Sequence, residues 1–187
     1  MDMTSHPDPR ALLEQSYVLF NREQVKEAVQ KMADEINEFY GDEPLILMSV
    51  LTGAIIPAAW LAVRLKMPIQ MDFVHATRYR GGLYGAELEY RVPPRLDLEG
   101  KQVLVIDDIF DEGDTLAAIK GSCEKRKASS VKLAALVRKQ HDRGLSRDYV
   151  DFIGLDVPDV YVFGCGMDAY EEWRHLDEIL VLEESQD

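Results

Sequence analysis

The residues with the clearest capacity for chemistry lie in one stretch, VLVIDDIFDEGDTL, at positions 103–116. Four apolar residues, Val103, Leu104, Val105 and Ile106, run into the adjacent acids Asp107 and Asp108, where the pattern ends a buried strand. A short loop with Asp111, Glu112, Gly113, Asp114 and Thr115 follows, and a helix begins. Gly113 allows a tight turn. The amides of Asp114, Thr115 and Leu116 would then open the helix, where the dipole and unsatisfied N–H groups attract a phosphate. Thr115 adds a hydroxyl donor. Asp107 and Asp108 do not suit a phosphate; they suit sugar hydroxyls or a hard cation such as magnesium. The segment therefore reads as a site for hydroxyls at one end and phosphate at the other, as in a ribose 5-phosphate. The competing reading is a helix whose acids only complement its dipole. Four Asp and one Glu within positions 107–114 are more than that role requires, and their repulsion calls for a cation or ligand.

Other candidates are less self-evident. Lys139 sits among Arg138, His141 and Arg143, so a solvated basic turn competes evenly with a binding role. Tyr161 in an apolar run would ordinarily be core, and Arg174 competes with a surface helix residue. Trp173 and Met167 read as packing. Cys123 and Cys165 lack ligand or CxxC spacing and read as free thiols in a reducing compartment. His75, His141 and His175 show no metal spacing and receive no role.

These residues need a scaffold, and the pattern supplies one. Residues 21–39 read as an amphipathic helix, opened by an Asn21/Gln24 capping box, with Val25, Ala28, Val29, Met32, Ile36 and Phe39 on its apolar stripe. Residues 45–51 are continuously apolar, as in a strand covered on both faces. A Thr52-Gly53 turn and a helix over 55–65 follow, then a strand over 69–75. Residues 78–85, rich in Arg, Gly and Tyr, read as a flexible lid loop, with 87–92 as its return strand. Beyond the strand at 103–106 come a helix over 115–126 and strands over 133–137, 151–155 and 160–163. This alternation predicts an α/β fold, a parallel sheet flanked by helices, with ligands at the carboxyl ends of its strands.

Bulk properties narrow the classes. The 187 residues suit a single domain, and 47% hydrophobic content supports a sizeable core. Thirty-four acids against 21 bases give a formal net charge of −13, which argues against a nucleic-acid partner. The polar N-terminus has no apolar core of a signal peptide, and the apolar stretch over 45–65 is interrupted by polar residues, so no membrane span is expected and the cytoplasm follows. No P-loop is present, which speaks against a nucleotide kinase.

The motif resembles the phosphoribosyl pyrophosphate signature of the type I phosphoribosyltransferases: apolar strand, two acids, two apolar residues, then acid, variable residue, Gly, variable residue and Thr. Within that family the chain is similar to the hypoxanthine-guanine phosphoribosyltransferases over residues 45–182. The resemblance implies a parallel five-stranded sheet, a small hood built from the N- and C-terminal segments, a requirement for magnesium, and a homodimer or homotetramer. It implies that Asp107 and Asp108 hold the ribose hydroxyls, Asp108 through magnesium waters, and that Asp111 is the general base at purine N7. Glu112, Gly113, Asp114 and Thr115 would form the 5-phosphate loop. Lys139 would contact the exocyclic O6 of a 6-oxopurine, Tyr161 would stack on the base, and the Val162 backbone would read its edge. Asp168 matches a second acid on the magnesium side, and Arg174 an arginine that reaches pyrophosphate.

Two departures stand out. The family's pyrophosphate loop often reads Leu-Lys-Gly, whereas this chain has Leu51-Thr52-Gly53; its amides would still bind the leaving group, over a non-proline cis bond. The flexible loop usually carries Ser-Tyr, whereas here it reads Thr77-Arg78-Tyr79, leaving Tyr79 to cover the site. The expected activity is purine salvage, the transfer of a phosphoribosyl group to hypoxanthine and guanine. The rivals are a transferase preferring xanthine or guanine, and a non-catalytic regulator that senses phosphoribosyl pyrophosphate.

Overall fold

A computed structural model describes residues 8–78 and 88–183. The elements in order are α1 (Pro9–Glu14), β1 (Ser16–Phe20), α2 (Arg22–Tyr40), β2 (Leu45–Val50), α3 (Ile55–Ala62), β3 (Ile69–Arg78), β4 (Leu88–Val92), β5 (Gln102–Phe110), α4 (Asp114–Lys125), β6 (Ser130–Gln140), β7 (Phe152–Pro158), β8 (Val162–Phe163) and β9 (Ile179–Leu182). Six strands form the main sheet in the order β4-β3-β2-β5-β6-β7. The five from β3 to β7 are parallel, as the alternation of elements predicts, and β4 adds an antiparallel edge to β3.

The side-chain period of two in the central strands sends alternate residues to opposite faces. Ile46, Met48, Val103 and Val105 meet α4 through Leu116, Ile119 and Cys123. Leu45, Leu47, Leu104 and Ile106 face Met32 and Ile36 of α2 and Ala58 and Leu61 of α3. All six residues of β2 are buried, which is why it reads as an unbroken apolar run. Each such side chain contributes about 1.5–3 kcal/mol by leaving water.

Helix α2 starts at the predicted place. Asn21 Oδ1 accepts from the Gln24 amide at 3.0 Å, and Gln24 Oε1 accepts from the Asn21 amide at 2.9 Å. Its buried stripe runs Val25, Val29, Met32, Ile36 and Tyr40. Phe39, expected on that stripe, is exposed instead, because the four-residue step from Ile36 selects Tyr40. Other boundaries also move. Strand β5 continues past Asp107 and Asp108 to Phe110, with Ile109 opposite Val137 and Phe110 opposite Arg138. Helix α3 ends at Ala62, short of 65. The predicted strand over 160–163 shrinks to the two residues of β8.

Strand β8 leaves the main sheet and joins β1 and β9 in a small antiparallel sheet ordered β1-β9-β8. This sheet is made from the two ends of the chain: Ser16 lies opposite Leu182, and Trp173 Nε1 donates to the Pro9 carbonyl at 2.8 Å. Val162, Ile179 and Val181 pack with Val25, Val29 and Leu136, fastening it to the main sheet. The expected lid at 78–85 and its Tyr79 lie outside the described residues, except Arg78, which closes β3.

Candidate active site

The carboxyl ends of β2, β5 and β6 deliver the predicted residues to one edge of the sheet, and the turn after β8 brings the rest. Asp107 and Asp108 stay within β5, so the ladder holds them rigidly. Asp107 Oδ1 accepts from the Asp108 amide, and Asp108 Oδ1 from the Ile109 amide, each at 2.9 Å. Burial and then the neighbouring Asp108 charge push the Asp107 carboxyl well above its ordinary range. Burial also raises Asp108, against hydrogen bonds from its neighbours and the Arg174 charge.

The chain then turns through Asp111, Glu112 and Gly113 into α4. Gly113 has φ +84°, and a Cβ there would strike the Phe110 ring, so both backbone and space require glycine. The Ala117 amide makes the first helical bond, to Gly113 O at 2.9 Å, and no side chain caps the helix. The amides of Thr115 and Leu116 therefore have no carbonyl within the helix to reach. A cleft of about 430 Å³ is lined by residues 107–116.

Residues 51–53 close the site from the side of β2. The Leu51–Thr52 peptide is cis, as expected. Gly53 is wedged between the Asp108 side chain and the Gly166 backbone: a Cβ on it would overlap the Asp108 carboxylate, and a Cβ on Gly166 would overlap the Gly53 carbonyl. Only glycine at both positions lets the β2, β5 and β8 segments meet this closely.

Lys139, near the end of β6, reaches Asp111, with Nζ 3.3 Å from Oδ2. The solvated-turn reading of Lys139 fails, since its side chain is only 16% exposed. Beyond β8, Arg174 pairs with Asp168 at 2.6 Å and donates to Gly166 O at 2.8 Å. Tyr161 is half exposed and donates its hydroxyl to Asp168 O at 3.2 Å, so it is not core; Val162 beside it is buried. The residues at 107–115, Lys139 and the turn from Tyr161 to Arg174 thus line one edge of the sheet, with residues 51–53 against Asp108.

Sequence reasoning missed His141, Arg143 and Asp159. His141 Nε2 lies 2.5 Å from Asp111 Oδ1, and its side chain is 6% exposed. Arg143 grips Asp159 with two bonds, at 2.6 and 2.9 Å. The only available signal was the position of His141 two residues beyond Lys139. Its contact spans 30 residues of sequence and exists only once β5 and β6 pair.

Among the described residues no three His, Cys, Asp or Glu side chains converge as a ready metal cage. Two adjacent, mutually repelling carboxylates, Asp108 buried and Asp107 partly buried, nevertheless fit magnesium, which keeps several waters and takes one or two protein carboxylates plus substrate phosphates. No helix among the described residues is long and apolar enough to cross a membrane.

A parallel sheet with an acid pair, a glycine turn and a helix start at its carboxyl edge defines a site for a phosphorylated sugar. The chain belongs to the phosphoribosyl transferase family, whose domain matches residues 19–172. It is similar to the hypoxanthine-guanine phosphoribosyltransferase of Bacillus subtilis, 33% identical over 88% of this chain and 92% of that protein. It is also similar to the hypoxanthine-guanine-xanthine phosphoribosyltransferase of Tritrichomonas foetus, 29% identical over 90% and 92%. Among solved structures, a hypoxanthine-guanine phosphoribosyltransferase from Bacillus anthracis superposes with a TM-score of 0.80 at 28% identity, covering 89% of this chain and 97% of that one.

Proposed function

We propose that this chain transfers the 5-phosphoribosyl group of 5-phosphoribosyl 1-pyrophosphate to N9 of hypoxanthine and guanine, giving IMP or GMP and pyrophosphate, in purine salvage. The observation that carries this reading is the meeting of Asp111 and Lys139, 3.3 Å apart, beside the acid pair and the helix start. A 6-oxopurine with its imidazole proton on N7 presents an acceptor, O6, next to a donor, N7–H. A lysine beside a carboxylate is the complement of that edge. Adenine offers a 6-amino donor, for which Lys139 has no acceptor.

In this reading Asp107 and Asp108 hold the ribose hydroxyls, and Glu112, Gly113, Asp114 and Thr115 form the 5-phosphate loop. Leu51, Thr52 and Gly53 offer backbone amides to pyrophosphate, which Arg174 also reaches on leaving Asp168. Tyr161 stacks on the base, and the Val162 backbone meets its far edge. As N9 attacks the anomeric carbon, Asp111 takes the N7 proton. Asp107 and Asp108, with Asp168 as a further acid, would hold magnesium, which would supply neutralisation of the charge on the leaving group. The small sheet acts as the hood of a single catalytic unit, and the protein works in the cytoplasm as a homodimer or homotetramer. Association would cover exposed apolar residues such as Val63, Met71 and Phe73.

The test is turnover of phosphoribosyl pyrophosphate with hypoxanthine, guanine, xanthine or adenine added singly. Nucleotide formation with hypoxanthine or guanine, lost on chelating magnesium and negligible with adenine, supports the reading. Efficient use of adenine would remove Lys139 from its role.

A further inference from the structure

We infer that His141 is a positioning residue for Asp111: it holds Oδ1 as a neutral Nε2–H donor and leaves Oδ2 as the atom that receives the purine proton. This inference rests on the assignment of Asp111 as the general base.

The tautomer follows from hydrogen-bond logic. The Arg143 backbone amide lies 3.1 Å from His141 Nδ1, and an amide can only donate. Nδ1 therefore presents its lone pair, and the ring proton sits on Nε2, 2.5 Å from Asp111 Oδ1. That amide is itself held in place, because the Arg143 guanidinium grips Asp159 through two bonds. The neighbouring loop is fastened as well: the Leu145 amide donates to Glu112 O at 2.9 Å. Among the described residues Asp111, 42% exposed, has no other neutral side-chain donor in contact, and the charged Arg143 guanidinium lies farther from the same Oδ1, at 3.9 Å.

The two carboxylate oxygens consequently differ. Oδ1 is taken by a side chain that is 6% exposed and has little room to move. Among the described residues Oδ2 is held only by Lys139, a flexible ammonium that also has a use at the purine O6. When Lys139 turns to O6, Oδ2 becomes available to N7–H. The N7–H bond then breaks, an O–H bond forms at Oδ2, and the N7 electron pair returns to the ring as N9 bonds to the anomeric carbon, whose bond to the pyrophosphate oxygen breaks with the electron pair leaving on pyrophosphate. A neutral donor suits this task. It fixes the carboxylate without adding the full positive charge that would weaken it as a base.

The experiment compares His141→Leu, which has no donor, with His141→Gln, which keeps an N–H, each alone and with Asp111→Asn. Outer-sphere partners of this kind are worth roughly 10- to 100-fold in activity. His141→Leu should lower kcat by that factor with the KM for phosphoribosyl pyrophosphate little changed, and His141→Gln should recover most of the loss. In the Asp111→Asn background, His141→Leu should cost nothing further, since there is no base left to position. A full additional loss in that background, or equal losses in the Leu and Gln variants, overturns the inference. If Asp111→Asn alone leaves kcat intact, the general-base assignment itself has failed, and the inference falls with it. Nitrogen NMR of the wild-type ring is independent of variant folding: a bare Nδ1 and protonated Nε2 are expected, and the reverse overturns the tautomer.

Discussion

Substituting Gly53 by alanine tests the packing on which the site depends. The added methyl would overlap the Asp108 carboxylate, itself a buried side chain at the end of β5. Two costs can be assigned. Forcing a methyl into close-packed surroundings costs about 1–3 kcal/mol. Turning Asp108 aside gives up its 2.9 Å bond from the Ile109 amide, a charged hydrogen bond worth about 1.5–3 kcal/mol. Their sum, about 2.5–6 kcal/mol, would lower kcat/KM by roughly 10²- to 10⁴-fold if it falls wholly on the substrate-bound site. The assay is steady-state turnover alongside chemical denaturation, on Gly53→Ala, Asp108→Ala and the double variant. Asp108→Ala removes the obstacle, so Gly53→Ala should cost far less stability in that background, a coupling of about 0.5–3 kcal/mol. Strict additivity, or a Gly53→Ala protein with unaltered activity, would refute the placement of residues 51–53 against Asp108.

Other predictions follow from neighbouring features. Asp111→Asn should reduce kcat about 100- to 10,000-fold while leaving phosphoribosyl pyrophosphate affinity nearly intact by calorimetry; equal losses in both would remove its role as base. Lys139→Met should lower kcat/KM for hypoxanthine by about 10- to 150-fold, the worth of one charged hydrogen bond of about 1.5–3 kcal/mol, and should not lower the rate with adenine; parallel losses for both purines would count against an O6 contact. Burial pushes the thiols of Cys123 and Cys165 up to about 11 and about 12. Because the folded state holds them neutral, their contribution to stability is complete below the ordinary thiol range and is lost as pH rises from there toward those values. At pH 8, alkylation followed by mass spectrometry should label both only in denaturant, and rapid labelling of the native protein would contradict their burial.

The parts of the site legible in the sequence were those in which neighbours in the chain are neighbours in space. Asp107 to Thr115 is one strand end, one turn and one helix start, so its chemistry can be read from spacing alone. Asn21 and Gln24 form a local cap for the same reason. Lys139 was ambiguous because its surroundings in sequence are basic, whereas its surroundings in space include Asp111, 28 positions earlier. His141 was passed over for that reason too: nothing near it in sequence is acidic enough to explain it, except the solvent-facing Asp142. A hood from the N- and C-terminal segments was expected from the family resemblance, whereas of the small sheet's three strands the residue pattern announced only β8, as a strand over 160–163. Tyr17 and Val18 are about half exposed, so β1 carries no periodic apolar signal, and β8 is only two residues of the longer strand expected there. Strand β5 outruns its predicted end because pairing with β6 rewards extension even where the residues turn acidic.

The pairing of Ser16 with Leu182 has a consequence for how the molecule assembles. The Glu183 amide donates to Gln15 O at 2.9 Å, so the described chain nearly closes on itself. Bringing together ends separated by this much chain costs about 4–5 kcal/mol of loop entropy, and the cost is recovered only when both ends are in place. The parallel sheet can form without meeting that cost; the small sheet cannot. Loop closure therefore leads us to expect that it settles last and opens first, together with the turn that carries Tyr161, Asp168 and Arg174. Residues 107–115 and Lys139 belong to the main sheet and the turn that follows β5. Tyr161, Asp168 and Arg174 belong to a clasp between the two ends of the chain.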